Sequence, residues 1–385
     1  MITGPLPPEE AQRSALQSLW TFPSVLASSF IVAWGAEAAQ FSISQGLALA
    51  MLAWIQVLPE FAVEAVISWH RDVPLMTANF TGALRLLTGL GWPMIWVVHA
   101  LAQRRRGGHE RWPVVRLDEE HAIEVVGLTP PLAYFAWIVY KGTLDCWDAA
   151  ALLALYVAYL VVLNRLPPRD HEAIEDVAAV PRAVLRMAPA PRTLSLLGLF
   201  LAGGIGIYLT VQPFLDSMIG LAAVLGISQF VFIQWVAPFL SEFPEFVSTS
   251  NWAHSRGKAG MALMNMVSSN VNQWTVLAAM IPLVYSASLG HPATVPLHEH
   301  RAELMLTLLQ GALGVILLAN FEFRAHEALG LFALWALQFA IPSWREGVAI
   351  AYAVWLLIEI GSATWRPGRL RAFAVFPRLL SRRPE

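Results

Sequence analysis

The chain is poor in charge. Asp, Glu, Lys and Arg make up 14% of its 385 residues, against about 25% in ordinary globular domains. A water-soluble chain of this length needs a polar surface that so few charges cannot supply, which excludes a soluble globular protein. Cysteine is nearly absent. Cys146 stands alone, so no intrachain disulfide can form. No basic stretch precedes the first apolar segment, so no cleaved signal peptide is expected and that segment should remain as a spanning helix. There is no Walker-type lysine loop and no Gly-x-Ser-x-Gly elbow, which leaves ATP-driven transport and serine hydrolysis without support. What is abundant is apolar. Hydrophobic residues reach 57%, and the sixteen tryptophans suit interfacial belts, where an amphipathic ring sits at headgroup level.

A spanning helix needs about 20 mostly apolar residues. Candidates run over Trp20–Phe41, Ile43–His70, Pro74–Leu101, His121–Tyr140 and Trp147–Leu163. A second group runs over Thr193–Val211, Ser217–Trp252, Ala259–Leu289, Ala302–Asn320, Glu327–Ile341 and Gly347–Ala363. The expected fold is therefore an all-α membrane protein of about ten or eleven transmembrane helices. Ten of them fall into two groups of five.

Arginines orient the chain. They cluster at Arg104–Arg106, Arg111 and Arg116, at Arg165–Arg192, and in the tail from Arg366 to Arg383. The positive-inside rule places all three segments in the cytoplasm. Counting helices from them puts the N-terminus outside and the C-terminus inside. It also puts the turn at Arg71-Asp72 on the opposite side from the turn at His254–Lys258. The expected organisation is a first repeat over 1–163, a proline-rich cytoplasmic linker over 164–192, a second repeat over 193–341, and an extra helix with a basic tail over 342–385.

The two groups are copies. Ile43-Ser44-Gln45, Leu58-Pro59-Glu60-Phe61 and Ala78-Asn79 recur as Ile227-Ser228-Gln229, Phe243-Pro244-Glu245-Phe246 and Met264-Asn265. The counting above makes the copies run through the membrane in opposite senses, as in inverted-repeat transporters. Each copy sets a proline and a glutamate inside a long apolar stretch. A carboxylate there is expensive and marks a functional site by default. Each proline also lacks an N–H and frees a carbonyl four residues earlier, at Ile55 and Leu240. Hard cations take such carbonyls together with carboxylate and amide oxygens. Around Glu60 stand Gln56 and Glu64, one helical turn away on either side. Around Glu245 stand Ser241 and Glu242. Asn265, Ser268, Ser269, Asn270, Asn272 and Gln273 crowd one otherwise apolar helix. Asn79 and Thr81 are the thinner counterpart. A structural reading, in which prolines kink helices and small polar residues glue them, accounts for any one of these features but not for their duplication. Arg85 requires a partner inside the membrane, and Glu64 or a site carboxylate is the expected one.

At these residues the chain resembles the cation/Ca²⁺ antiporter superfamily, the sodium/calcium exchanger membrane region. Its two inverted motifs read roughly G-T-S-x-P-E and G-N-x-x-G-S-N-x-x-N. Here the first reads Ile55-Gln56-Val57-Leu58-Pro59-Glu60 and Leu240-Ser241-Glu242-Phe243-Pro244-Glu245. The second begins at Ala78-Asn79 and at Met264-Asn265, and ends at Leu87 and Gln273. The resemblance covers both repeats. It implies that Glu60 and Glu245 are paired central cation ligands, with Ser241, Ser269 and Gln273 on further ligand positions. Ala83 and Leu87 replace two ligands of the first copy, Arg85 adds a positive charge beside them, and Glu242 replaces a serine. These departures resemble an atypical bacterial branch. The implied location is the bacterial inner membrane. The implied partners are inorganic cations and the lipid bilayer, with no nucleic acid and no cofactor beyond transported Ca²⁺, Na⁺ or H⁺.

The expected function is a secondary antiporter, not an enzyme, exchanging Ca²⁺ or Na⁺ for Na⁺ or H⁺ by alternating access. A cation channel using the same carboxylates is the alternative. An intramembrane enzyme with paired acids gives no reason for the repeat. Glu37 and Glu359 are expected to snorkel to the interface, and His291, His298 and His300 to lie in a solvated loop.

Overall fold

The computed structural model describes residues 7–39, 41, 57–108, 110, 112–164, 177–363, 365 and 368–381. In the first half the helices are α1 (Pro8–Ala39), α2 (Leu58–Trp69), α3 (Val73–Leu86), α4 (Trp92–Arg105), α5 (Ala122–Gly127), α6 (Thr129–Lys141) and α7 (Cys146–Leu163). A short α8 (Ala179–Leu185) follows. The second half has α9 (Pro189–Leu225), α10 (Gln229–Ser241), α11 (Phe243–His254), α12 (Ala259–Asn272), α13 (Ala278–Leu289), α14 (Arg301–Leu318), α15 (Ala325–Ala340), α16 (Arg345–Ala363) and α17 (Arg371–Ser381). Seven stretches among the described residues are long and apolar enough to cross a membrane, including Val73–Arg105, Glu119–Lys141 and His298–Leu318.

Two boundaries differ from the hydropathy pattern. That pattern ends one span at Val211 and starts another at Ser217. The structure instead runs α9 unbroken through Pro213 to Leu225. The real stop is Gly226, which closes the helix in the left-handed region at φ 66°, a conformation glycine adopts without steric cost. The span beginning at Ile43 is helical from Leu58; residues 42–56, Gln56 among them, lie outside the described part.

The chain divides into two units. The first, Met1–Asn79 with Leu166–Glu245, is built on α1 packed along α9. Small residues permit the approach. A Cβ on Gly203 would sit 2.5 Å from Val32 Cγ2, and one on Gly220 would sit 2.6 Å from Ser14 Cβ. With no hydrophobic drive between helices in lipid, such close backbone contact is what holds them. Thr21 and Ser217 add a buried hydroxyl bridge of 2.9 Å. α2 and α10 both pack on α9, and α2 also packs on α10.

The second unit, Phe80–Arg165 with Phe246–Glu385, shows how the repeats are related. Four two-residue strands, β1 (Val115–Arg116), β2 (Thr143–Leu144), β3 (Val295–Pro296) and β4 (Glu322–Phe323), lie just outside the spans. By position in the repeat, β1 corresponds to β3 and β2 to β4. The pairing is crossed: β1 pairs with β4, and β2 with β3. The N-terminal end of the α5–α6 stretch therefore lies beside the C-terminal end of α14, and the reverse holds at the other end. Equivalent helices run in opposite senses, so the repeat is inverted. Helix contacts obey the same exchange: α7 packs on α13 and α15 on α4.

The crossed ribbons are directly testable. With Cys146 changed to Ser, the V115C/F323C pair should form an intramolecular disulfide under mild oxidation, since these residues are strand partners. The V115C/V295C pair joins equivalent strands and should not. Cross-linking of the second pair and not the first would contradict an inverted arrangement.

Candidate functional site

The acidic residues of the first unit sit where two helices start. Val57 and Glu242 lie just before α2 and α11. In each helix proline is the second residue and glutamate the third: Pro59 and Glu60, Pro244 and Glu245. A proline at this point gives up an N–H that would have no intrahelical partner anyway. The glutamate then lies in the first turn, where exposed amides and the helix dipole favour negative charge. Glu60 is 1% exposed, Glu242 2% and Glu245 3%. The break between α10 and α11 is one residue long. Glu242 N–H still donates to Pro238 O and Glu245 N–H to Glu242 O, both at 2.9 Å. Ser241 is buried, and its hydroxyl turns back to Ala237 O at 3.0 Å.

Glu64 lies one turn beyond Glu60 and is fully buried. Asn79 donates its amide to Glu64 Oε2 at 2.7 Å. Among the described residues, that leaves Glu64 Oε1 and Asn79 Oδ1 buried with no hydrogen bond. Two such acceptor oxygens on hydrogen-bonded residues, one of them on a carboxyl group, are the kind of donors that Ca²⁺ and Na⁺ take.

The second unit carries the neutral oxygens. Ser269, Asn270, Asn272 and Gln273 are buried and Asn265 is half-buried. Both polar helices pass into a π turn, Leu87–Gly91 after α3 and Gln273–Leu277 after α12. Such turns are rare and concentrate at functional sites. The two strips meet where Asn270 Nδ2 donates to Thr88 Oγ1 at 3.3 Å. Ser268 meets the Tyr159 hydroxyl at 3.2 Å.

Arg85 has a different partner from the expected one. Its guanidinium donates to Glu303 Oε2 at 2.8 Å, to Gln338 Oε1 at 2.8 Å and to Thr81 Oγ1 at 3.1 Å. Glu303 also pairs with Arg345. The physical reason is helical phase. Arg85 shares its face with Thr81, four residues back. It points well away from the face of Asn79 and Ala83, which are six and two residues back. Glu64 is engaged by Asn79. The acid count then becomes even, with Glu60 and Glu64 in one copy and Glu242 and Glu245 in the other.

Glu303 was overlooked, although a sequence signal marks it. Glu120-His121-Ala122-Ile123-Glu124 recurs as Glu299-His300-Arg301-Ala302-Glu303, so the acid belongs to a second duplicated motif. Glu359 and Glu37 do not simply snorkel. Glu359 pairs with Arg369 at 2.5 Å, and Glu37 accepts from Ala178 N–H at 3.0 Å.

Buried acids at paired helix breaks, inside an inverted helical repeat, define a multi-pass membrane ion transporter. The sodium/calcium exchanger protein family matches twice, over residues 15–164 and 195–344, and the chain belongs to that family. Among solved structures, the H⁺/Ca²⁺ exchanger CAX is 28% identical, with 96% of this chain and 92% of that chain covered at a TM-score of 0.86. The sodium–calcium exchanger NCX_Mj, soaked with Na⁺ and Sr²⁺, is 18% identical, with 87% and 99% covered at a TM-score of 0.54. At that identity the likeness is one of fold. No curated protein matches the sequence. The chain is a cation antiporter and not an enzyme.

Removing one member of a buried ion pair costs roughly 3–5 kcal/mol, whereas replacing the whole pair by apolar groups is often neutral. E303Q should therefore lower thermal stability in detergent sharply, and R85M/E303L/R345M, which removes Arg345 as well, should recover most of it. Full stability of E303Q in a thermal unfolding scan would show that the contact carries no weight.

Proposed function

We propose that the protein exchanges Ca²⁺ for H⁺ by alternating access around Glu60 and Glu245. The observation that carries this reading is the pair of proline-led helix starts, each with two buried acids. Four carboxylates carry more negative charge than one Ca²⁺ balances. In a low-dielectric interior the excess calls for protons, so the same oxygens serve both ions. Ca²⁺ entry would then release protons, which is the linkage an H⁺ antiporter needs. The likeness to CAX over nearly the whole chain supports H⁺ as the counter-ion.

In this reading Glu60 and Glu245 are central ligands. Glu64 and Asn79 complete the first copy, and Ser241, Asn265, Ser269, Asn270 and Gln273 add neutral oxygens in the second. Gln56 belongs to the same set. Glu242 is the proton-bearing acid, since the related exchangers carry serine there. Each repeat would present the site to one side in turn. The arginine distribution supports an N-terminus outside and a C-terminus in the cytoplasm, and the inner membrane of a bacterium is the location that goes with this reading.

Ion flux in proteoliposomes tests this directly. A proton gradient should drive Ca²⁺ uptake against its own gradient. Flux that only follows the Ca²⁺ gradient would identify a channel, and drive by Na⁺ alone would identify a sodium-coupled exchanger. E60Q or E245Q should lower uptake at least about tenfold, the equivalent of roughly 1.4 kcal/mol of lost cation binding.

Protons compete with Ca²⁺ for the same oxygens, so Ca²⁺ binding should strengthen as pH rises. E242S should flatten that dependence while still binding Ca²⁺. Isothermal titration across a pH series reads both. A pH profile unchanged in E242S would remove Glu242 as the proton carrier.

A further inference from the structure

Ion exchange leaves the C-terminal helix α17 without a role, yet its sequence is strongly patterned. Ala372, Val375 and Leu379 are buried at the three- and four-residue spacing of one helical face. That face packs on α5 and on the turn Glu119–His121. The start of α17 is held where two spans end. Ala372 N–H donates to Ala319 O at 2.8 Å, one residue past α14. Arg371 pairs with Glu119, the first residue of the span Glu119–Lys141, and its guanidinium carbon lies 5.7 Å from the centre of the Phe321 ring. Termini of spanning helices mark the level of the lipid headgroups, so α17 starts at the membrane surface.

Two further faces of α17 are left over once the packing on α5 is made. Phe373, Phe376 and Leu380 form a half-buried apolar stripe beside the packed face. Arg371, Arg378 and Ser381 are exposed on the other side, and the chain continues as Arg382-Arg383. No acidic residue occurs between Arg366 and Arg383. An apolar stripe on one side and arginines on the opposite side, at headgroup level, have the composition of a helix that lies in a lipid interface. We propose that α17 docks on anionic phospholipid of the surrounding bilayer. Phe373, Phe376 and Leu380 enter the acyl boundary, and Arg378 meets the headgroup phosphates. Charge complementarity selects this occupant: an arginine near an anionic leaflet is attracted to it, and a zwitterionic surface offers no such pull. Phenylalanine on the opposite side of the helix supplies the apolar burial that charge alone lacks.

Hydrogen exchange over residues 371–381 of the full chain in lipid vesicles tests this without reference to transport. Vesicles of phosphatidylcholine containing about 30 mol% phosphatidylglycerol should slow exchange in α17 at least about fivefold relative to phosphatidylcholine alone. R378E, at an exposed position, should abolish most of that difference while leaving the spanning helices protected. F373S/F376S should speed exchange in both lipids. Equal exchange of the parent in the two lipids, or an undiminished difference in R378E, would overturn the proposal. So would protection that depends on protein density instead of lipid charge, since that marks a second copy on the stripe.

Discussion

A charged side chain inside a bilayer has few ways to be stable, and that constraint organises this protein. It can be paired, held at a helix terminus, or neutralised by a proton or a metal. The chain uses each at a different place. Arg85 and Glu303 are paired across helices, with Gln338 and Thr81 filling the remaining donors of the guanidinium. Glu60 and Glu245 sit in the first turns of α2 and α11. Glu64 keeps an oxygen to which no group among the described residues donates. The first arrangement is fixed and serves the scaffold. The others are the acids that we propose serve the exchangeable ion.

The inversion of the repeat also follows from local pairing. Two ribbons of two residues per strand contribute little stability by themselves. They record, however, which ends of the central helices are neighbours. Because β1 meets β4 and β2 meets β3, the α5–α6 stretch and α14 must be antiparallel. That conclusion needs neither the arginine distribution nor an assumed membrane. It agrees with the sense expected from counting positive loops.

Much of this was legible in the sequence. Charge depletion and apolar runs gave the class. The recurrence of Pro59-Glu60 as Pro244-Glu245 gave the duplication and the acids. What was not legible depended on helical phase and on contacts far apart in the chain. Arg85 lies two residues from Ala83, which suggests a shared site, but two residues on a helix place them on nearly opposite faces. Its partner Glu303 is remote in sequence, and the duplicated motif around it marks the acid without pointing to Arg85. The stop at Gly226 was hidden because the apolar run continues past it, while Pro213 looked like a boundary and is not one. Lipid-facing helices tolerate a proline that packing can accommodate.

The crossed ribbons also bear on how the protein is made. The ribosome delivers β1 and β2 long before β3 and β4, and each early strand has its ribbon partner in the late half. The first repeat therefore enters the membrane with both ribbon edges open, and its interior cannot close around Arg85 until Glu303 has been inserted. Assembly of the second unit is post-insertional. A ribosome stalled between the halves would leave a membrane-embedded arginine without its glutamate.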